Sequence, residues 1–222
     1  MKVLVLGSIS RSLLNFRGPL IQRLRDSGHH VIAATAPDEN SDQVAQTLSD
    51  WGVEYRTVDL TRGGTNPLAD IRTFRVIQAL LRDTRPDILL AYTAKPVIYG
   101  GMAAQTIAGV RFFPIITGLG YAFTPGAGGK RRAVRAILTR LCQRSLHGAE
   151  RVIFQNPDDQ AMFGELGLLP DHNRGTRVHG SGVDCEAFPP TPLPDAPVFL
   201  MLARLVADKG VREYVEAARR VR

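Results

Sequence analysis

One pair of basic residues near the end of the chain has the spacing of a phosphate-binding site. Arg204 and Lys209 stand five residues apart in segment 204–210, which we expect to follow a short strand and enter a helix. Two cations and the positive end of a helix dipole can converge on one diphosphate and offset the charge of a departing phosphate group. The spacing therefore predicts that Arg204 and Lys209 bind a diphosphate.

Lys95 is a second candidate for a ligand-binding residue. It is one of only four lysines among 222 residues, and it follows a predicted strand over 87–92. A lysine at the carboxyl end of a parallel strand can reach a bound ligand. A surface lysine would explain the residue equally well, so both interpretations stay open.

A glycine-rich segment, 118–123, follows the next predicted strand. Gly118 and Gly120 allow the backbone to turn tightly and to approach a ligand closely. Tyr121 adds a flat aromatic face on which a sugar ring can rest. A simple loop with buried aromatic side chains is the alternative.

Segment 15–20 follows a polar loop at 7–12 and includes the start of a helix that the pattern predicts over 18–26. A helix N-terminus attracts anions because its first N–H groups are unpaired and its dipole is positive there. We therefore expect Asn15, Arg17 and Gly18 to lie beside a ligand. An ordinary helix start would also account for the segment.

The candidate residues follow predicted strands, and those strands alternate with helices. Strands are predicted over 2–6, 31–35, 53–60, 87–92, 112–117 and 151–155, and helices over 18–26, 67–82, 97–107 and 129–146. This alternation predicts an α/β fold with a doubly wound parallel sheet, in which ligands bind at the carboxyl ends of the strands. Asn156-Pro157-Asp158-Asp159 has the composition of a capped helix start, which we prefer to a catalytic carboxylate pair.

The composition changes after residue 182. Five prolines lie between 188 and 197, which is typical of a stiff linker, and we assign 183–197 to it. A strand over 198–202 and a helix from 211 to the end follow. One strand and one helix cannot bury their apolar faces alone. We therefore expect 1–182 to form one domain and 198–222 to be the start of a second α/β domain.

Several common cofactor, metal and catalytic sites are excluded because the sequence lacks their motifs. The loop after the first strand lacks G-x-G-x-x-G, and the second strand ends without an acidic residue, which argues against a nicotinamide cofactor. Asp-x-Asp, H-E-x-x-H and G-x-S-x-G are absent from the sequence. The two cysteines, Cys142 and Cys185, and five scattered histidines form no metal-ligand pattern. We expect no metal and no cofactor.

The chain is basic, with a formal charge of +7 and a pI of about 9.9, mostly from arginine. This balance fits an ordinary basic enzyme or one with an anionic partner, and we expect no nucleic acid to bind. No signal-peptide pattern and no apolar run of about 20 residues occurs, which favours a cytoplasmic protein.

The helix over 129–146 is the part of the chain that could meet a membrane. Its apolar positions Val134, Ile137, Leu138 and Leu141 share one side, with Arg132, Arg135, Arg140 and Arg144 around the other. We expect Arg131, Arg132 and Arg135 to face anionic lipid on the inner surface of the cytoplasmic membrane. The alternative is an apolar stripe that packs on the core beneath a solvated basic face.

Taken in order, these segments resemble the family 4 retaining glycosyltransferases of GT-B fold. The sequence is most similar to the bacterial branch that extends undecaprenyl-diphosphate-linked sugars. The similarity extends over essentially the whole chain, and it includes the opening loop, Lys95-Pro96, 118–123, 180–184, Ala203-Arg204-Leu205 and Lys209-Gly210.

The resemblance implies transfer of a sugar, with retention, from a UDP-sugar to a lipid-linked saccharide, without a metal. The first domain would bind the acceptor, and Arg204 and Lys209 would bind the donor diphosphate. A paired-glutamate segment that closes the family's cleft has no counterpart in these 222 residues. We therefore expect a chain cut early in its second domain and inactive alone. The alternatives are a nucleotide-sugar 2-epimerase and a non-catalytic module that binds a membrane surface or a partner.

Overall fold

The computed structural model describes residues 1–61, 66–118, 129–169, 171, 174–203, 205 and 209–221, with the backbone alone for 129–133. The chain divides into two compact units, Met1–Gly182 and Val183–Arg222. In unit 1 the described residues form the following strands and helices: β1 Lys2–Leu6, α1 Ser10–Asp26, β2 His30–Thr35, α2 Ser41–Asp50, β3 Glu54–Thr57, α3 Pro67–Thr84, β4 Ile88–Tyr92, α4 Ala94–Ala104, β5 Arg111–Ile116, α5 Gly129–His147, β6 Val152–Phe154, α6 Pro157–Glu165 and β7 Gly175–Arg177.

The strands of unit 1 form one seven-stranded sheet of order β3-β2-β1-β4-β5-β6-β7. Every pairing is parallel; β1, for example, pairs in parallel with both β2 and β4. The predicted parallel α/β sheet is thus confirmed. Because β2 and β4 lie on opposite sides of β1, the direction of winding reverses between β1 and β4.

Both faces of the sheet are covered, as its strand sequences require. Alternate residues of a strand point to opposite faces. Val3 and Val5 accordingly belong to one core cluster with residues of α1 and α2, whereas Leu4 and Leu6 belong to another with residues of α3, α4, α5 and α6. Two buried cores therefore hold the sheet between layers of helices.

Helix α1 begins eight residues earlier than the sequence predicts, and this corrects the expected helix start near Arg17. Its first residue is Ser10, and Pro19 lies inside it. The backbone N–H of Ser10 donates to Asp38 Oδ2 at 3.0 Å, and the Ser10 hydroxyl donates to the same carboxylate. A distant carboxylate thus satisfies the first turn, so no local capping residue marks this start. Asn15, Arg17 and Gly18 lie within the helix.

The helix start at Asn156 is confirmed. The Asn156 side chain accepts a hydrogen bond of 2.7 Å from the backbone N–H of Asp159, and Pro157 is the first residue of α6. Asp158 and Asp159 lie in the first turn, where negative charge is favourable. The two carboxylates therefore belong to a helix cap.

Other elements differ from the prediction. Strand β3 covers only part of 53–60, and α2 and β7 were not predicted. The strand expected over 198–202 does not form, because a strand requires a hydrogen-bonded neighbour and none pairs with this segment among the described residues. Unit 2 contains helix α7, Val211–Arg220, which has no buried residue.

Helix α5 packs part of its apolar side on the core and exposes the rest. Leu138 and Leu141 contact the core cluster that includes Cys142 and Leu146. Ile137, at the edge of the same side, is 60% exposed, so the apolar stripe packs on the core only in part. At 3.6 residues per turn, Ile137 falls on the side of Arg140 and Arg144, both exposed.

Two adjacent glycines in α4 provide a matched test of the packing between α4 and α5. A Cβ at Gly101 would lie 2.2 Å from Ser145 Oγ and 2.4 Å from Phe112 Cε1, both in buried side chains, whereas one at Gly100 would meet Leu89 at an ordinary 3.4 Å. We expect Gly101→Ala to lower the free energy of unfolding by about 1–3 kcal/mol through overpacking. Gly100→Ala should leave it unchanged or raise it by up to about 1 kcal/mol, since Ala favours helix. Denaturant unfolding measures both; equal effects would contradict the packing described here.

Candidate functional site

The reversal of winding brings two short polar segments together at the carboxyl edge of the sheet. Ser8 follows β1 and Thr93 follows β4, and their hydroxyl oxygens lie 2.7 Å apart. A Cβ at Gly7 would lie 2.4 Å from the Tyr92 hydroxyl oxygen, so only glycine allows the ring to sit there. Thr93 has φ 68°, a region that costs a residue with a side chain about 1–3 kcal/mol. Close packing therefore fixes the loops at this edge.

Tyr92 forms the floor of this polar cluster. The residue is 2% exposed, and its hydroxyl forms a hydrogen bond of 2.8 Å with Ser12 Oγ of α1. Burial raises the pKa of Tyr92 to about 12, against smaller opposite effects of the Ser12 hydrogen bond and the nearby Arg17 charge. The ring therefore stays neutral and presents its face to α1.

Arg17 lies against that face. Its Cζ is 4.8 Å from the centre of the Tyr92 ring, and the residue is only 4% exposed. Nη1 donates to Ser181 Oγ at 2.9 Å and to the Phe16 carbonyl at 3.2 Å, while Nε is buried without a hydrogen-bond partner. Burial lowers the pKa of Arg17, because the charged form loses its hydration. Arg17 was expected beside a ligand at a helix start; it lies inside α1 instead, and its place beside a ligand stays a prediction.

Lys95 is paired with a carboxylate of the protein. Its Nζ lies 2.8 Å from Asp70 Oδ1, with side chains 11% and 21% exposed. Burial raises the pKa of Tyr99. The charge of Asp70 and its hydrogen bond with the Tyr99 hydroxyl raise that pKa further. Much of the Lys95 charge is therefore balanced within unit 1, and an anchor between α3 and α4 explains the residue better than a free ligand-binding cation.

The remaining predicted residues are spread over the chain. Asn15 is exposed, Gly18 is buried against the Trp51 ring, and Gly118 adopts φ 102° at the end of β5. Lys209 is exposed ahead of α7 in unit 2. Gly120, Tyr121 and Arg204 lie outside the described residues, as do the side chains of Arg131 and Arg132, while Arg135 is partly buried on α5.

Several residues of the cluster were missed by the sequence analysis: Ser8, Ser12, Tyr92, Thr93, Ser181 and Gln155, whose side-chain amide donates to Ser181 Oγ. Ser8 and Thr93 lie within two residues of the ends of β1 and β4, so their position at strand ends was the available signal. Ser181 lies in segment 180–184, which was noted for family similarity alone. Its closeness to Arg17, 164 positions earlier, depends on the whole sheet.

Two further properties concern metals and membranes. In the part of the chain that the structure describes, no three His, Cys, Asp or Glu side chains gather as metal ligands. Within the same residues, no helix combines the length and the apolar character needed to cross a bilayer.

The buried Tyr92 hydroxyl predicts a pH dependence of stability. Its pKa is raised from 10.0 to about 12, so the stability it contributes is complete below about pH 10 and is lost as pH rises through about 12. We expect the free energy of unfolding to fall by about 1 kcal/mol more in the wild type than in Tyr92→Phe between pH 8 and pH 11. The contribution of Tyr99 to the pH dependence is the same in both proteins and cancels in the comparison. Denaturant unfolding at the two pH values measures this difference. An equal loss of unfolding free energy in both proteins would show that the pKa of Tyr92 is the same in the folded and the unfolded state.

Comparison with known proteins identifies the family. Residues 17–178 match the model of the glycosyl transferase 4-like domain. The chain is 25% identical to N,N'-diacetylbacillosaminyl-diphospho-undecaprenol alpha-1,3-N-acetylgalactosaminyltransferase of Campylobacter jejuni, an alignment that covers 98% of this chain and 60% of that protein. The chain thus spans less than two thirds of the length of this relative.

Solved structures share the fold at lower identity. Anabaena Alr3699/HepE, in complex with UDP and glucose, matches with a TM-score of 0.56 and 16% identity over 86% of this chain and 47% of that one. UDP-N-acetylglucosamine 2-epimerase from Rickettsia bellii matches with a TM-score of 0.56 and 14% identity over 82% and 45% of the two chains. These matches show the fold alone. Because the family model covers most of unit 1, the chain belongs to the glycosyl transferase 4-like domain family.

Proposed function

We propose that this chain is part of a glycosyltransferase that moves a sugar from a UDP-sugar to a lipid-linked saccharide with retention, without a metal. The observation that carries the proposal is the alignment of 98% of the chain with a transferase whose name specifies a diphospho-undecaprenol-linked acceptor. The UDP and glucose in the structure of Alr3699/HepE support a nucleotide-sugar donor.

In this proposal the two units have different substrates. Unit 1 holds the acceptor at the carboxyl edge of its sheet, where the polar cluster around Tyr92 lies. Arg204 and Lys209 bind the donor's diphosphate, and their charge would stabilise the departing nucleotide. Lys209 is exposed, so by itself it would bind a phosphate weakly, because water screens the charge.

A nucleotide-sugar 2-epimerase is the second candidate. It is favoured by the Rickettsia bellii epimerase, which superposes as well as Alr3699/HepE does. The fold therefore does not separate the two activities. A saccharide acceptor does, because an epimerase has no use for one.

The substrate profile of the 222-residue chain tests the proposal. We expect saturable binding of a short-chain prenyl-diphosphate-linked N-acetylhexosamine, and no acceptor-dependent release of UDP from UDP-N-acetylgalactosamine or UDP-N-acetylglucosamine. Transfer requires the donor to be held against the acceptor, and the two cations Arg204 and Lys209 cannot do this alone. Titration calorimetry and a coupled UDP assay provide the measurements, with the full-length Campylobacter relative as positive control.

Each other outcome has a definite meaning. Robust UDP release by the 222-residue chain would show that the donor site is misplaced. Formation of the C2 epimer of UDP-N-acetylglucosamine, followed by NMR, would establish the epimerase instead. Absence of saccharide binding would contradict the role assigned to unit 1.

We also expect the protein to act at the cytoplasmic membrane surface, with α5 against anionic lipid. Ile137, Arg140 and Arg144 are exposed on this helix, which combines one apolar and two basic side chains on one side. Each basic residue near such a surface can add about 1 kcal/mol of binding, screened by salt. The peripheral location would bring unit 1 to a lipid-linked acceptor.

Vesicle co-sedimentation at low and high salt tests this surface. We expect binding to anionic vesicles that salt weakens, and a loss of several-fold in the double variants Arg132→Ala/Arg135→Ala and Arg140→Ala/Arg144→Ala. The matched control is Arg23→Ala/Arg82→Ala, which removes the same charge from exposed positions near the ends of α1 and α3. Equal binding to neutral and anionic vesicles, or equal loss in all three variants, would rule out α5 as the contact.

A further inference from the structure

Arg17 is a buried cation for which the described residues provide no counter-ion. The side chain is 4% exposed, and its contacts are neutral: the Tyr92 ring, the Phe16 carbonyl and the Ser181 hydroxyl. Across the described residues, no carboxylate forms an ion pair with it. A buried charge is costly unless it is paired. Its surroundings therefore suit an anion that comes from outside the protein.

The hydroxyl of Ser181 points to the same conclusion. Its oxygen accepts hydrogen bonds from Arg17 Nη1 at 2.9 Å and from Gln155 Nε2 at 3.1 Å. A hydroxyl has two lone pairs and one proton, so two accepted bonds leave the O–H free to donate. Ser181 is exposed, and within the described residues its proton has no acceptor. A donor on the surface thus adjoins the Arg17 guanidinium, with which no described carboxylate forms an ion pair.

The position and rigidity of the pair are those of a built site. Arg17, Ser181 and Gln155 meet near the carboxyl ends of β1, β4 and β6, the edge at which ligands of such sheets bind. The Tyr92 ring holds the plane of the guanidinium, and Gly7 leaves room for that ring. Asp38, the acidic residue that caps α1, accepts hydrogen bonds from Ser10 and Asn40.

We infer that Arg17 and Ser181 bind a phosphate-type oxyanion, with the diphosphate group as the ligand class. The planar guanidinium presents N–H donors that match two phosphate oxygens, and the Ser181 O–H supplies a further donor. That the diphosphate belongs to a substrate rests on the proposed function, in which both donor and acceptor carry one. Binding of the anion itself rests only on the geometry of unit 1.

Binding of inorganic pyrophosphate to the 222-residue chain tests the inference directly. We expect Arg17→Met to raise the dissociation constant by about tenfold or more, since a charge-assisted pair is lost. Ser181→Ala should raise it several-fold, and Arg17→Lys should give an intermediate value because charge remains without the planar fork. The matched control is Arg23→Met, which removes an exposed charge from the same helix and should leave the constant unchanged.

A stability measurement keeps the test independent of folding. Methionine replaces an unpaired buried charge by an apolar chain of similar length, so Arg17→Met without ligand should melt at the wild-type temperature or above it. Pyrophosphate should then raise the melting temperature of the wild type and not that of Arg17→Met. Equal affinity in Arg17→Met and wild type, equal loss in Arg17→Met and Arg23→Met, or an adventitious interaction that salt abolishes in all variants alike would overturn the inference.

Two further ligands identify the source of the diphosphate. If Arg17→Met raises the dissociation constant of farnesyl diphosphate more than that of UDP, the site binds a lipid-linked diphosphate. The reverse order supports the nucleotide. Either result supports anion binding by Arg17. The chain could bind pyrophosphate through Arg17 and yet bind no lipid-linked saccharide. In that case the anion site would stand and the proposed function would fail.

Discussion

Strand β1 is hydrogen-bonded on both sides, to β2 and to β4, and this pairing determines where the polar residues of unit 1 meet. The chain leaves β1 toward one side of the sheet and returns on the other. Ser8 and Thr93 thereby become neighbours, although 85 positions separate them. Helix α1, which follows β1 directly, then brings Ser12 and Arg17 over Tyr92. Changes that weaken the pairing of β1 and β4 would therefore disperse the whole cluster.

The fold was predictable from the sequence because a parallel sheet that is buried on both faces needs continuous apolar strands. β1, β4 and β5 were found within a residue or so of their observed bounds. The start of α6 was found because its cap is local, at Asn156. The start of α1 was missed because its cap is Asp38, 28 positions away. Short strands whose pairing depends on neighbours, such as β7, leave little trace in local periodicity. Segment 198–202 has the apolar pattern of a strand, but no described segment pairs with it.

The sequence indicated this edge of the sheet, because most of its candidate residues follow strands, and Arg17 lies there against Tyr92. It did not indicate which side chains meet at this edge. Lys95 was equally plausible from the sequence, yet Asp70 from α3 pairs with it at 2.8 Å. The difference between the two cations is their partner, and partners come from tertiary packing. Sequence position identifies cations near a ligand edge, whereas only the structure shows which of them has its charge balanced.

This difference has an energetic consequence for unit 1. The Lys95–Asp70 pair offsets part of the cost of its own burial, so it contributes to the folded state whether or not a ligand is present. Arg17 has no such compensation from the residues that the structure describes, so the cost of its burial is borne by the rest of the core. Stacking on Tyr92 and two neutral hydrogen bonds recover only part of that cost. An anion that binds the folded state alone would recover more of it, which couples the stability of this edge to occupancy. A fold that maintains a buried cation with no carboxylate partner among the described residues thus gives up some stability to hold a site ready for an anionic ligand.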